Sequence, residues 1–546
     1  MPSSVFLTGA DYLERYFRTF PSRATTAGRH DHDRELESLD REQRDQWLAY
    51  NEAASATLAA VPAGDADDRL DALLLRREID REIFRLKTLH VPERNPLYWT
   101  EIAANSVVFL LVRDHRPADA IERAKQIPRL VRDAEGALGP TEGSLIAPEL
   151  CAIAAGQAKA SASFFRDGFV TIDRPAGIAA ADALDKLSRF IADLQKRATG
   201  TPRLGNAYRE NLRLATGVLD PDALLAQAER DLASKKQEAA AYARSIWKQF
   251  VTAAPPAVDE EVLRAMFERA ARDHHTGTEE WVAYGTKLVD EAEAFVRAHD
   301  LVTLPEPRTL VAGRSPSYFT GQSVGGVYPA GPFDPEANTL YFMPVPPDSA
   351  TPAQREGFFR DFNDHFQRMI TPHEMMPGHY VQLKYAARNP HKLRALFPDD
   401  VYVEGWGTFS ERLALDLGWG GPLDRIAHLK KQMENIARTI VDIRVHTRGM
   451  TREEVIGFAT REALQDQQFA ANMWTRSITT SPQLTYYYLG YVAVRGLYDE
   501  VRHAQGSAFH LRDFTDTLMR LGPVPIEQVR SRMLPAASSS ATVPAN

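Results

Sequence analysis

From about residue 35 to residue 300 the chain repeats apolar side chains at helical spacing, as in DALLLRREIDREIFRL and ALLAQAERDLASKKQEAAAYARSIWKQF. This periodicity limits the fold more than any other feature. A half-buried strand hides every second residue and cannot use such a pattern, so the expectation is helix after helix packed on shared apolar faces. Pro and Gly interrupt the pattern at NPLYW, APEL, RPAG and TAAPPAVDE, where helices are expected to stop or start. No fixed period of self-similarity emerges, which argues against a solenoid of regular repeats. Between about 303 and 347 the texture changes to Gly, Pro, aromatics and β-formers, which reads as a small β-sheet insert. Helical patterning then returns from about 352 to 534.

The fold class expected is therefore mainly α. The textures divide the chain into an N-terminal helical region over 1–302, the β insert with a second helical region over 303–534, and a tail over 535–546, PAASSSATVPAN, expected to be disordered. The first two are expected to form one integrated fold. At 546 residues the chain exceeds the size at which a single core keeps growing, so two lobes around a cleft are expected.

Composition closes off several function classes. The formal charge of −8 comes from 73 acidic and 65 basic residues spread along the chain, so no basic stripe is offered to nucleic acid. The single cysteine, Cys151, rules out an internal disulfide and a Cys-based structural zinc site, leaving His and carboxylates for any metal. The first residues, MPSSVFLTGADYLERYF, lack a basic segment followed by an apolar run, and no stretch approaches 18 uninterrupted apolar residues. The expectation is a cytoplasmic protein with no membrane partner.

The stretch TPHEMMPGHYVQ, residues 371–382, holds the letters of an H-E-x-x-H zinc helix with Pro377-Gly378 inserted before the second histidine. In an unbroken helix, six residues rotate about 600°, which would turn His373 and His379 about 120° apart. Proline cannot donate to the carbonyl four residues back and glycine tolerates non-helical angles, so a kink here would swing His379 back toward His373. The same letters suit another reading, a helix started by Thr371 and Pro372 with Glu374 at a capping position. A third ligand is on offer in VYVEGWGTFSERLALDLG. Glu404 and Glu411, seven residues apart, share one helical face within about 20°, so one can bind metal while the other orients an imidazole. Solvated glutamates on an amphipathic helix are the alternative, although Trp406, Phe409 and Leu413 flank them.

Arg438, Asp442 and His446 follow at intervals of four, so on a helix Asp442 is placed to hold both the guanidinium and the imidazole. A surface salt bridge is the plainer reading. SPQLTYYYLG then brings together Gln483, three tyrosines and Gly490, where a tyrosine hydroxyl either stabilises an oxyanion or simply packs.

In order and spacing, HEMMPGH, VEGWGTFSERL, VDIRVHTRGMTREE and RSITTSPQLTYYYLG resemble the domain of unknown function 885 family, grouped with gluzincin-like zinc peptidases. FTDTLMRLGPVPIEQV fits the family's C-terminal end, and before about residue 310 the match is one of character only. The resemblance implies a multi-helix zinc-peptidase-like fold and one zinc ion per chain, with His373, His379 and Glu404 as ligands and Glu374 as base. Tyr487 and Gly490 match a Q-x-x-x-Y-x-x-G pattern starting at Gln483, and Arg476 matches an arginine of the same block. Two positions depart from the family pattern: Tyr380 stands where many members have a further histidine, and Met473 replaces an acid three residues before Arg476.

The function expected is zinc-dependent hydrolysis of peptide or amide bonds, with water activated by zinc and Glu374. His446 or Tyr487 is the expected oxyanion donor, and Glu411 and Asp442 are expected to support the site from behind. Arg476 or Arg444 would bind a substrate carboxylate, favouring short peptides or acylated amino acids. Gly325 and Gly326 would let a peptide backbone approach the sheet edge, or else mark a plain turn. The alternatives are an amidase of small amides on the same zinc site, and a noncatalytic helical binding protein that keeps a peptidase-like shell.

Overall fold

The computed structural model describes residues 3–62, 64–314, 325–346 and 349–534, which are mainly α-helical with one three-stranded sheet. The tail expected from 535 lies outside the described residues, as does 315–324 within the β insert. Helix starts are set by short acidic side chains. Asp40, Asp65, Asp173 and Asp220 each accept a backbone N–H at the start of Arg41–Ala60, Ala66–Ile83, Arg174–Arg197 and Pro221–Phe250. The interruptions in the periodic pattern fall where expected: NPLYW, APEL and RPAG lead into new helices, and TAAPPAVDE separates the helix ending at Phe250 from the one starting at Asp259.

The sheet is built from β1 (Leu310–Arg314), β2 (Gly326–Tyr328) and β3 (Thr339–Met343). β3 is central, parallel to β1 and antiparallel to β2, and every one of its residues is buried. This central strand carries Tyr341 toward the site described below.

Three apolar cores hold the helices together, and each mixes early and late parts of the chain. Tyr12, Trp47 and Trp99 share one with Ala437, Val441 and Trp474. Trp281 and Leu288 share a second with Tyr341, Trp406, Phe409 and Leu497. Tyr208, Leu224 and Trp247 share the third with Ile436, Ile440 and Tyr488. The long helix Pro422–Arg448 feeds two of these cores and is buried on nearly every side. Its remaining face is polar and includes His428, Lys431, Gln432, Glu434, Asn435 and Arg438.

Two glycines set a close helix crossing. Helix Asp400–Asp416 meets helix Tyr486–Gln505 where Gly405 and Gly490 touch backbone to backbone. A Cβ on Gly490 would sit 2.1 Å from the Val401 carbonyl oxygen and 2.5 Å from the Gly405 Cα. The crossing fixes the EGW segment against the tyrosine segment. Gly490→Ala is therefore expected to lower stability by about 3 kcal/mol, because backbone rather than a flexible side chain must move. Gly496→Ala on the same helix meets open space and is expected to be neutral or stabilising by up to about 1 kcal/mol. Denaturant unfolding of the two variants beside the parent checks the contrast.

Candidate metal centre

The Pro-Gly insertion ends one helix and starts another. Asp364–Glu374 stops at the glutamate and His379–Arg388 begins at the second histidine. Gly378 lies so close to the end of the first helix that a Cβ would stand 1.9 Å from the His373 carbonyl oxygen, so only glycine fits the return. The Trp406 indole N–H donates to the Pro377 carbonyl (2.9 Å), tying the EGW segment to the turn. The reading of Thr371 and Pro372 as a helix start fails. The helix is capped at Asn363, whose side chain accepts from the Phe366 N–H, and Pro372 lies inside its last turns. The Arg368 carbonyl, which Pro372 cannot satisfy, accepts instead from the Trp419 indole N–H (2.8 Å), which offsets the lost hydrogen bond of a proline in a helix interior.

The consequence is convergence of the three expected ligands. One ligand atom from each of His373, His379 and Glu404 lies within 4.8 Å of the others. His373 Nε2 and His379 Nε2 stand 3.5 and 3.7 Å from Glu404 Oε2. Those separations are too long for hydrogen bonds, and Glu404 Oε2 is buried without a hydrogen-bond partner. They suit a shared ion: ligand atoms at 2.0–2.1 Å on a tetrahedron are about 3.3 Å apart. Gly407 clears the space, since a Cβ there would come within 2.9 Å of both imidazoles. The residues present therefore fit a two-histidine, one-carboxylate zinc site.

The outer nitrogens are committed, which leaves both Nε2 lone pairs to face the centre. His373 Nδ1 donates to Glu411 Oε1 (2.7 Å), and His379 Nδ1 donates to Gln382 Oε1 (3.1 Å). Glu411 is fully buried and accepts from a third imidazole as well, His428 Nδ1 at 3.0 Å. Burial alone would raise both carboxyls, but the imidazoles outweigh it. Glu411 is lowered to about 2, and Glu404 is held well below the usual carboxylate range by His373 and His379. Burial pushes the Tyr341 phenol of β3 well up, and the charge of Glu374, half-buried at the helix end, adds to it.

Tyr487 is the member of the tyrosine run that faces this region. Its hydroxyl accepts from Arg476 Nη2 (3.0 Å), which also donates to Gln483 Oε1 (3.3 Å), while Tyr488 donates to Asp231 (2.5 Å). Burial pushes the Tyr487 phenol up, Arg476 offsets part of this, and the nearby Glu404 adds to it; the net shift is upward, so the phenol keeps its proton. Met473, where the family pattern has an acid, is buried in the first core, and among the described residues no carboxylate lies within ion-pair distance of Arg476. Tyr380, at the other departure, packs in the second core.

Three expected residues stand elsewhere. His446 Nδ1 accepts the Leu204 N–H (3.0 Å), its Nε2 donates to the Ser477 carbonyl (3.0 Å), and its ring stacks on Tyr208. Both nitrogens are used and no hydrogen remains for an oxyanion. Asp442 does not hold Arg438. It accepts from the hydroxyls of Tyr208, Ser477 and Ser481 at 2.9, 3.2 and 3.0 Å, and Arg438 pairs instead with Glu434 (2.5 Å). Arg444 pairs with Glu229 (2.8 Å) over the Phe458 ring, about 600° around the helix from Arg438. Gly325 and Gly326 open β2 with φ of +131° and +139°, which favours glycine for backbone reasons; β2 is an edge strand among the described residues.

His428 was not anticipated. Its only sequence signal is a histidine inside a helix that proves buried all round. Lys431, Glu434 and Arg438 did carry a local signal, the i, i+3 and i, i+4 spacing of opposite charges.

The family model described as a bacterial protein of unknown function, DUF885, matches residues 21–533. The chain belongs to the DUF885 family. No curated protein matches it. Among solved structures, this DUF885 chain is similar to one from Shewanella oneidensis described as "a putative lipoprotein of unknown function" (23% identity, 97% of this chain and 100% of that chain, TM-score 0.80). It is also similar to a "putative lipoprotein" from Colwellia psychrerythraea (17% identity, 98% and 99%, TM-score 0.80). At such identities the likeness concerns the fold alone. Among the described residues, no helix is long and apolar enough to cross a membrane.

Outer partners of metal-binding histidines are worth about 10–100-fold in metal affinity. Glu411→Gln keeps the shape, loses the charge and leaves one carbonyl oxygen for two imidazoles, so zinc affinity is expected to fall by about that factor. Competition with a chromogenic chelator measures it.

Proposed function

We propose that this protein is a zinc-dependent hydrolase of peptide or amide bonds acting on short peptides or acylated amino acids. The observation that carries the reading is Glu404 Oε2, a buried carboxylate oxygen with no hydrogen-bond partner, set 3.5 and 3.7 Å from two imidazole nitrogens whose opposite nitrogens are already committed. His373, His379 and Glu404 would hold one zinc ion, which when bound supplies Lewis acidity and lowers the pKa of a coordinated water toward neutrality. Glu374 adjoins His373 at the end of its helix, where its carboxylate takes the proton from the attacking water and returns it to the leaving amine. Tyr487 accepts from Arg476, so its own O–H is free to donate to the carbonyl oxygen as negative charge develops there. Arg476 is thus a positioning residue for Tyr487. The accompanying reading of the helices is a zinc-peptidase-like scaffold in two lobes around a cleft.

Glu374→Gln is expected to keep about one zinc per chain by plasma mass spectrometry and to lower turnover by at least about 100-fold. Tyr487→Phe is expected to keep zinc and lower kcat by about 100-fold. Wild-type protein that holds no zinc even after zinc is added would return the chain to the noncatalytic binding-protein reading. Zinc-dependent cleavage of small non-peptide amides, with no cleavage of peptides, would favour the amidase.

We propose a cytoplasmic location, which a single buried thiol without a disulfide, Cys151, suits. The descriptions of the two solved structures as lipoproteins favour the cell envelope instead. Fractionation of the native host, with an antibody to the protein, is expected to find it in the soluble cytoplasmic fraction, and recovery with membranes would overturn that placement.

A further inference from the structure

The polar face of helix Pro422–Arg448 carries buried hydrogen-bond donors that the fold itself does not use. Glu434 binds Lys431 at 3.1 Å and Arg438 at 2.5 Å, while Arg476 of helix Gln467–Thr480 has no carboxylate within ion-pair distance among the described residues, and Glu404 and Glu411 act on these cations only from further away. Arg438 is 7% exposed and its Nε has no partner. Asn435 and Gln432, at 1% and 3% exposure, leave Nδ2 and Nε2 equally unpaired. Residues 432, 435 and 438 succeed one another at three-residue steps, so each adjoins the next about 60° around the helix and Asn435 stands between the other two; its Oδ1 accepts from Arg438 Nη1 (3.2 Å). Three buried donors without acceptors, beside the guanidiniums of Arg438 and Arg476, are costly unless an acceptor comes to them.

The position of that anion relative to the metal centre is set by Tyr487. The Arg438 and Arg476 guanidiniums lie 5.0 and 5.6 Å from the centre of its ring, and the charge of Glu404 reaches both. One extended residue spans about 3.3–3.6 Å. If the Tyr487 hydroxyl meets the scissile carbonyl, an anion on these guanidiniums is one or two residues further along the substrate. A cavity of about 340 Å³ lined by Lys431, Glu434, Phe366 and Asn363 adjoins the other end of the charged face.

We propose that Arg438, Arg476, Asn435 and Gln432 form an anion subsite for the free C-terminal carboxylate of the substrate, so that cleavage falls next to a carboxy terminus. The subsite stands on its own geometry, and the position of the cleaved bond rests on the zinc hydrolase reading. Phosphate-like anions would use the same donors, but a peptide backbone threading past Tyr487 ends in a carboxylate.

Binding is read without turnover in full-length Glu374→Gln protein as purified, by calorimetry with N-acetylglycylglycine and with its C-terminal amide. The acid is expected to bind about tenfold or more tighter than the amide. Adding Arg438→Gln, or the isosteric Asn435→Asp that places a carboxylate among the donors, is expected to bring the two probes within about twofold. Circular dichroism confirms folding, and Asn435→Asp keeps the test alive if Arg438→Gln does not fold. Equal binding of acid and amide in the parent, binding of neither, or a preference that survives both variants overturns the subsite. The two readings fail separately: acid preference without bound zinc keeps the subsite and removes the zinc hydrolase, while bound zinc without acid preference does the reverse.

Discussion

A carboxylate with no exposed surface, Glu411, accepts from two imidazoles on two different helices, and the geometry of the centre depends on it. Burying a carboxylate costs several kcal/mol unless it is fully partnered. Here both oxygens are used, one by His373 and one by His428. The pairing locks the His373 ring with Nε2 toward Glu404 and pulls helix Pro422–Arg448 against helix Asp400–Asp416. Without it the His373 ring would lack a hydrogen bond to fix its tautomer, and the polar face that carries Lys431 and Arg438 would lose its anchor beside the site.

The Pro-Gly insertion works only because other residues absorb its consequences. Pro372 leaves the Arg368 carbonyl free and Trp419 takes it; the turn presents the Pro377 carbonyl and Trp406 takes that. Two indoles from later helices thus close the backbone ledger of the segment around the first histidine. Gly407 keeps the volume between the imidazoles clear, and Gly405 lets the tyrosine helix approach. The glycines of EGWG therefore act on opposite sides of one helix, one opening the centre and one bringing Tyr487 to it.

The sequence is most legible where the physics is local. Helix periodicity, the sheet texture and the breaks at Pro and Gly depend on near neighbours, and the structure follows them. HEMMPGH and EGW are legible for a related reason: a break between two histidines demands a turn, and Glu404 on a helix soon after supplies a third donor. Thr371-Pro372 misleads because a good local cap signal is overridden by Asn363 upstream and by a tryptophan 47 residues away in sequence that takes the orphaned carbonyl. Asp442 and His446 mislead similarly. Their four-residue spacing suggests a pair, but they stand 3.9 Å apart, and Tyr208, Ser477, Ser481 and Leu204 bind them more closely. His428 was out of reach, since nothing within its own helix announces Glu411.

One consequence links the centre to the rest of the pocket. Glu374, Glu404 and Glu411 concentrate negative charge around the imidazoles, whereas Lys431 and Arg438 on helix Pro422–Arg448 and Arg476 on helix Gln467–Thr480 concentrate positive charge beside Tyr487. Inside a low-dielectric pocket such a separation produces a directional field that solvent does little to screen. An electron-rich group entering this space is drawn toward the guanidiniums, and a cationic one toward the carboxylates. On the proposed reading, a substrate with a carboxylate at one end would be aligned by this field before it reached the imidazoles. The same helix that secures His373 through His428 also bears Lys431, Gln432, Asn435 and Arg438, so a shift of that helix would move the histidine pair and the unpaired donors together.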